Sequence, residues 1–205
     1  MKPDYWERAC RDLAARDGVM AELVVRYAGF SLVSRGDAFA TLARSIVGQQ
    51  ISVKAADAVW RRFSAALPEV APETVLAAGT PGLQGVGLSV RKIEYLLDLA
   101  GRFADGRLQP KRWHGMGDAA VMAELCAVRG IGVWTAEMFL IFTLLRPDVF
   151  PLDDKGLQKA VARHYRGGAA MTRAELAAQG ECWRPWRSVA TWYLWRSLDP
   201  VPVEY

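Results

Sequence analysis

Apolar residues recur at every third or fourth position along almost the whole chain, and no segment shows the strict alternation of a half-buried strand. The stretch from Asp37 to Val47 is typical, because Phe39, Leu42 and Ile46 fall on one face of a helix. Helices with one apolar stripe bury that stripe by packing against each other. The sequence therefore predicts an all-α fold with short connections.

Helix starts and connections follow from the residues that favour caps and turns. The predicted helices cover residues 4–14, 20–27, 37–47, a stretch that begins after Ser52 and is broken by Pro68 to Pro72, then 89–103, 119–127, 133–145, 154–164, 172–179 and 186–197. The predicted N-caps are Asp37, Ser52, Ser89 and Asp118, and the predicted loops are 80–87, 110–117 and 147–153.

The composition is that of a globular protein and argues against several kinds of metal site. Apolar residues make up 52% of the 205 residues, but no apolar run approaches the roughly 20 residues that cross a bilayer. Cys10, Cys126 and Cys182 lack C-x-x-C spacing, which disfavours zinc, disulfide and iron–sulfur frameworks. His114 and His164 have no partner at ligand spacing. Because the N-terminus lacks a signal-peptide core, we expect a cytoplasmic protein without membrane contact.

A net charge of +4 and a pI near 9.1 permit a polyanionic partner without requiring one. The strongest motif for such a partner is Leu125–Ala136, in which Gly130 and Gly132 separate the end of one helix from the start of the next. Glycine allows positive φ, and the exposed N–H groups at the helix start form a small site for a phosphate. On the glycines alone, a plain helical hairpin is the alternative interpretation.

Two acidic residues, Asp153 and Asp154, stand in the segment Asp148–Gln158 at the predicted start of a helix. Carboxylates are favoured there because they cap backbone N–H groups and face the positive end of the helix dipole. The same dipole suits a carboxylate that must face developing positive charge. Capping and catalysis are therefore both open interpretations of this pair.

Two further segments carry polar or aromatic side chains. The turn Gly48-Gln49-Gln50 separates two apolar helices. It either satisfies local backbone groups or enters DNA and fills the space left by an extruded base. The segment Trp183–Ser188 continues to Trp192 and Trp195, which fall on one helical face. Such a stripe is most often core, but an aromatic wall also suits stacking on a cationic alkylated base.

These segments resemble, in order and spacing, the helix-hairpin-helix DNA glycosylases, and within that superfamily the 3-methyladenine DNA glycosylase II branch. The segments that carry the resemblance are Ser45–Ala56, Gly87–Lys92, Leu125–Ala136, Phe150–Gln158 and Trp183–Ser188. The resemblance implies one glycosylase unit over residues 1–205, made of two helical lobes with the active-site cleft between them. It places the helix-hairpin-helix at about residues 119–145, and it implies damaged double-stranded DNA as the partner.

By this resemblance Asp154 is the catalytic residue, whose carboxylate stabilises an oxocarbenium-like sugar while water attacks the flipped-out nucleotide. Bifunctional relatives have a lysine nucleophile at the position of Trp134, which forms a Schiff base with the sugar and nicks the strand. Tryptophan at that position implies a monofunctional enzyme without AP lyase activity. The absence of a four-cysteine cluster disfavours the iron–sulfur relatives.

The resemblance also implies binding residues. Trp134, Trp195 and Met138 are expected in the base pocket, although relatives often carry an aromatic residue at the position of Met138. Gln50 matches the wedge position. The residues expected to contact DNA are Gln50, Ser89, Lys92, Gly130, Ile131, Gly132 and Thr135. The only expected cofactor is a Na⁺ or K⁺ ion on the main-chain carbonyls of Val128 and Ile131.

Some relatives in this branch carry an N-terminal sheet-containing domain, and nothing before Asp37 supplies one, so we expect the compact all-helical form. The expected activity is excision of 3-methyladenine and 7-methylguanine type bases in base excision repair, by a monomer associated with the bacterial nucleoid. A glycosylase for deaminated or oxidised bases and a non-catalytic DNA-binding protein remain alternatives, because sequence alone does not give the shape of the pocket.

Overall fold

The computed structural model describes residues 2–198, and within that range every regular element is a helix and no strand is present. The prediction of an all-α fold is confirmed. Over the same residues, no helix combines the length and the apolar character needed to cross a bilayer. The helices are α1 (Trp6–Arg16), α2 (Gly18–Arg26), α3 (Ala38–Gly48), α4 (Val53–Ala65), α5 (Pro72–Leu83), α6 (Val90–Ala104), α7 (Pro110–Trp113), α8 (Asp118–Cys126), α9 (Val133–Phe142), α10 (Lys155–Tyr165), α11 (Arg173–Glu181) and α12 (Arg187–Leu198).

The described residues divide into two compact units. The first consists of residues 2–34 and 140–198, and the second of residues 35–139. The division therefore falls inside α9, between Phe139 and Leu140. The predicted active-site cleft between two lobes stays a prediction.

Three of the predicted N-caps are confirmed. The side-chain oxygens of Asp37, Ser52 and Ser89 each accept the backbone N–H of the residue three positions on, at 2.8, 3.3 and 3.3 Å. The prediction for Asp118 is wrong, since Gly117 takes the N-cap position and α8 begins at Asp118. An acidic residue in the first helical turn is favoured by the helix dipole without capping the helix.

The predicted loop at 80–87 is wrong in its first half, because Thr80–Leu83 is helical and continues α5 beyond a kink. The kink lies at Gly79, where φ is 55° and ψ is −167°. Since the helix restarts after it, Pro81 lies in a first turn, where its missing N–H costs no hydrogen bond. Pro110 likewise begins the short helix α7 within a segment predicted as loop.

Helix α9 ends at Phe142 and not at Leu145, where the apolar run predicts its end. Leu145 has a φ of 54°, and the N–H of Arg146 donates to the Leu140 carbonyl at 2.9 Å. This left-handed residue closes the helix although the apolar sequence continues. The observed ends of the other helices whose two ends were predicted lie within two residues of the predicted ones.

The first unit is built around α12, which packs against α1, α2 and α10. All residues of α12 from Ser188 to Leu194 are buried, so this helix has no polar face. Trp6 of α1 meets Trp192 edge to face, with ring centroids 5.1 Å apart and planes at 89°. Trp192, which belongs to the predicted aromatic stripe, is therefore part of the core.

The loop that leads into α10 is fastened to the start of α12. The carboxylate of Asp148 accepts hydrogen bonds from Arg187 Nε at 2.7 Å and Nη2 at 3.0 Å. The hydroxyl of Ser188 accepts the Val149 N–H at 2.9 Å, and the Ser188 N–H donates to the Pro147 carbonyl at 3.0 Å. A paired, half-buried ion pair with further backbone bonds orders a loop more firmly than an exposed pair does. The entry to α10 is thus set by α12.

The second unit is built around α6, which packs against α3 and α5. Ile93, Leu96 and Leu99 form its buried face. Phe103, in its last turn, meets Phe39 edge to face at a centroid distance of 5.3 Å. The remaining face of α6 supports the two turns described below.

Candidate functional site

Asp154 is the N-cap residue of α10, and its Oδ1 accepts two hydrogen bonds. One comes from the Leu157 N–H at 2.6 Å, and the other comes from the indole Nε1 of Trp195 at 2.8 Å. The side chain is half-buried. Both donors meet the same oxygen, at the end of the helix where the positive pole of its dipole lies. Asp154 is therefore a carboxylate held in a fixed position.

The indole of Trp195 is itself held between two groups. Its ring stacks on Phe142 with centroids 5.7 Å apart and planes at 15°. A Cβ at Gly156 would lie 3.3 Å from the indole Cδ1 and Nε1 and 3.1 Å from Asp154 Oδ1. Because these contacts leave little room for a side chain, Gly156 lets the indole reach the carboxylate.

Sequence reasoning missed Phe142 and Gly156. The sequence does contain a signal for Gly156, because glycine lowers helix stability and is expected inside a helix only where another group packs closely against the backbone. Phe142 carried none, because the apolar run predicted that α9 continues past it.

Asp153 is placed differently from its neighbour. Its side chain is 69% exposed, and its Oδ2 lies 3.3 Å from Nη2 of Arg173, which is also exposed. An exposed pair at that distance contributes little free energy and fixes no geometry. Of the two acidic residues, only Asp154 is both fixed and partly buried.

The Gly-x-Gly segment forms a tight turn between α8 and α9. The Ile131 N–H donates to the Val128 carbonyl at 3.1 Å, and Gly130 has a φ of 84°. The Ala136 N–H donates to the Gly132 carbonyl at 3.0 Å, so the first bond of α9 begins at Gly132. Because Gly132 has no side chain, it supplies no capping oxygen of its own to the N–H groups of the first turn, which suits an anion.

Helix α6 supports this turn from one side. The ring of Tyr95 packs so closely over Gly130 that a Cβ there would overlap the ring atoms. The Arg129 N–H donates to Asp98 Oδ2 at 2.8 Å, and its guanidinium pairs with Glu94 at 3.0 Å. Tyr95 and Asp98 of α6 therefore hold the backbone of the glycine turn.

The Gly-Gln-Gln turn after α3 is tied to the same structure. Gln49 Nε2 donates to the Gly130 carbonyl at 2.8 Å. Lys92 Nζ donates to the carbonyls of Val47 and Gln49, both at 2.8 Å, and burial lowers the pKa of this lysine. Gln50 is exposed and has a φ of 59°. The structure thus brings the predicted wedge residue and the predicted phosphate turn together within the second unit.

The remaining predicted residues are placed as follows. Trp134 is 38% exposed in the first turn of α9, whereas Thr135 and Met138 are each 7% exposed. Ser89 caps α6. The predicted roles of these residues in a base pocket or on DNA stay predictions.

The predicted cation also stays a prediction. The Val128 carbonyl accepts one N–H within the turn, so it keeps one lone pair for an ion. Neutral carbonyl oxygens suit a hard monovalent cation. No cluster of three or more His, Cys, Asp or Glu side chains that could hold a metal exists among residues 2–198.

The family model described as HhH-GPD superfamily base excision DNA repair protein matches residues 43–187. The chain belongs to this superfamily. The matched range contains the Gly-Gln-Gln turn, the glycine turn and Asp154, while Trp195 lies beyond it.

Several relatives of this chain are named as DNA-3-methyladenine glycosylases. The crystal structure of DNA-3-methyladenine glycosidase from Bacillus halodurans has 32% identity and a TM-score of 0.86, over 93% of this chain and 89% of that one. The 3-methyladenine DNA glycosylase of Schizosaccharomyces pombe, in complex with abasic DNA, has 27% identity and a TM-score of 0.81, over 93% and 96%. DNA-3-methyladenine glycosylase 2 of Escherichia coli is 30% identical over 92% of this chain and 67% of its own length. The chain spans 66 to 80% of the length of the first curated relatives it matches.

A pair of glycine substitutions tests the geometry of the turn. Gly130→Ala places a Cβ in the ring of Tyr95 and forces alanine into positive φ, so we expect a loss of about 1–3 kcal/mol of unfolding free energy. Gly132→Ala meets no heavy atom within 4 Å and serves as the matched control. We expect the control to stay within about 0.5 kcal/mol of the wild type. Urea denaturation measures both, and equal losses would contradict this geometry.

Proposed function

We propose that this chain is a monofunctional DNA glycosylase that removes alkylated purines, of the 3-methyladenine and 7-methylguanine type, from duplex DNA. The observation that carries the proposal is the carboxylate of Asp154, fixed by the α10 N-terminus and by the indole of Trp195. The names of the relatives support the substrate class. One of them is bound to abasic DNA, which is the product that base removal leaves.

The chemistry asks little acid assistance of the protein. An alkylated purine already carries a positive charge, so it leaves with the electron pair of the C1′–N bond and becomes neutral. The sugar is left as an oxocarbenium ion, which the negative charge of Asp154 stabilises. Water then adds to C1′ and releases a proton, and the strand remains intact with an abasic site.

Selection of the base requires extrusion and stacking. An enzyme that acts on a base takes it out of the duplex, and a damaged, weakly paired base costs least to extrude. Electron-rich indole faces attract a cationic ring, which favours alkylated over normal bases. Trp195, stacked on Phe142, supplies one such ring beside the carboxylate. By their positions in the family motif, we assign Trp134 and Met138 to binding of the damaged base.

Holding the duplex falls to the second unit. The glycine turn with the start of α9 binds a phosphate, while Gln50 enters the stack and fills the space left by the flipped base. Main-chain phosphate contacts carry no sequence information, which suits an enzyme that must find damage in any sequence. A monomer located at the nucleoid in the cytoplasm fits this activity and stays a prediction.

Asp154→Asn tests the proposed catalytic role. Asparagine is as good an N-cap as aspartate, so α10 keeps its cap while the negative charge is lost. We expect single-turnover release of 7-methylguanine to fall on the order of 10²–10³-fold or more, with the melting temperature nearly unchanged.

The matched control is Asp153→Asn, which makes the same change at the exposed neighbour. We expect this variant to release bases at a rate within about twofold of the wild type, because exposed pairs of this kind contribute little. Wild-type release by Asp154→Asn, or an equal loss in both variants, would refute the assignment of Asp154.

The absence of lyase activity is tested by borohydride trapping. A lysine nucleophile would form a Schiff base with the sugar, which borohydride reduces to a stable protein–DNA adduct. Since Trp134 stands where the lyase relatives have that lysine, we expect no adduct and no strand break until the abasic product is heated in alkali. A trapped adduct that maps to Lys155 or Lys159 would show that this chain uses another lysine and is bifunctional.

A further inference from the structure

The turn after α3 holds a backbone conformation that a side chain disfavours. Gln50 has a φ of 59°, and left-handed backbone costs a residue other than glycine about 1–2 kcal/mol. Such a conformation persists only where neighbouring groups hold it, and it is characteristic of functional segments. Two side chains, those of Lys92 and Gln49, hold this turn.

Lys92 is one of them. Its ammonium reaches from the first turn of α6 to the carbonyls of Val47 and Gln49, at 2.8 Å each. The last carbonyls of a helix lack intrahelical partners, and a lysine can satisfy them. The two bonds bracket the end of α3 and lie directly before Gln50. The side chain is half-buried, and its ammonium group binds carbonyls of the protein itself.

Gln49 supplies the second connection. Its Nε2 donates to the Gly130 carbonyl at 2.8 Å, which joins the turn before Gln50 to the glycine turn. The glycine turn in turn rests on α6 through Tyr95 and Asp98. One helix therefore supports both turns, and Gln49 links them directly.

We propose that Lys92 and Gln49 form a brace that sets the position of the wedge residue Gln50 relative to the phosphate-binding turn at Gly130. Lys92 is then a positioning residue and not a phosphate ligand, which revises the role that its place in the motif implies. This proposal rests on the proposed function of the same site. If the brace fixes the distance between Gln50 and the glycine turn, DNA that binds at the glycine turn is contacted by Gln50 at a defined position. Binding of the duplex and extrusion of the base are then coupled.

The test compares Lys92→Met, Gln49→Ala and the double variant with the wild type. A displacement of about 1 Å in a group that positions the substrate can slow the reaction on the order of 10²-fold. We therefore expect each single variant to slow base release by about 10- to 10²-fold. Both substitutions break the same brace, and the double variant should therefore lie within about threefold of the slower single one. If the rate of the double variant falls by the product of the two single losses, Lys92 and Gln49 do not act through one brace.

Salt dependence separates positioning from phosphate binding. Each neutralised phosphate contributes about 0.9 to the slope of log K against log salt. We expect Lys92→Met to leave that slope unchanged, whereas a loss of about one would identify Lys92 as a phosphate ligand and overturn the proposal. Lys92→Arg, which keeps a charge and donors for two carbonyls, should recover base release to within about threefold of the wild type. Lys111→Met, an exposed lysine of α7, is the matched control for loss of charge.

A fluorescence measurement keeps this proposal distinct from the proposed function. The probe is a duplex with 2-aminopurine stacked beside an abasic-site analogue, whose emission rises when a wedge unstacks it. We expect both single variants to bind this duplex but to give at most about a tenth of the wild-type rise. If the wild type unstacks the probe and both variants do not, but the wild type releases no damaged base, the glycosylase is refuted and the brace is supported. Wild-type fluorescence and rate in both single variants would overturn the brace.

Discussion

One oxygen atom, Oδ1 of Asp154, joins the two elements on which the candidate active site depends. It accepts the N–H of Leu157 at the start of α10 and the indole N–H of Trp195 from α12. Hydrogen bonds to a charged group contribute about 1.5–3 kcal/mol each, which is enough to hold a carboxylate in a single rotamer. The second bond also orients the carboxylate together with an aromatic ring, which is the arrangement that the proposed catalytic role requires.

The surrounding structure serves to keep that bond in place. Trp195 is held in place, since Ser188–Leu194 and Arg196 of α12 are buried and Phe142 stacks on its ring. The start of α10 is also held in place, since the preceding loop is fastened to α12 through Asp148 and Arg187. The second unit has a similar arrangement, in which α6 buries one face in the core and supports two turns with residues of its other face. In both units a central helix sets the positions of groups that lie far away in the sequence.

Features that depend on a few neighbouring residues were predictable from the sequence. The caps at Asp37, Ser52 and Ser89 follow from the residue type and the apolar run behind it. The glycine turn and the proposed role of Asp154 are predicted by whole sequence motifs. Single residues at these positions do not predict them, because each has an equally good structural explanation.

Features that depend on distant contacts were not predictable. The bond between Trp195 and Asp154 spans 41 positions, and that between Lys92 and Val47 spans 45. The kink at Gly79 and the early end of α9 depend on backbone angles that apolar periodicity does not encode. Lys92 is the most instructive case, because its place in the motif suggested DNA whereas its ammonium is bound to the protein's own carbonyls.

We propose that the carboxylate of Asp154 and the indole of Trp195 serve the removal of cationic, alkylated purines. Mass spectrometry of the free bases released from duplex DNA treated with a methylating agent tests this most directly, beside duplexes that contain uracil, hypoxanthine or 8-oxoguanine. We expect release of 3-methyladenine and 7-methylguanine, at rates well above those for the neutral lesions. Release of a neutral lesion alone, or of no base at all, would contradict this proposal.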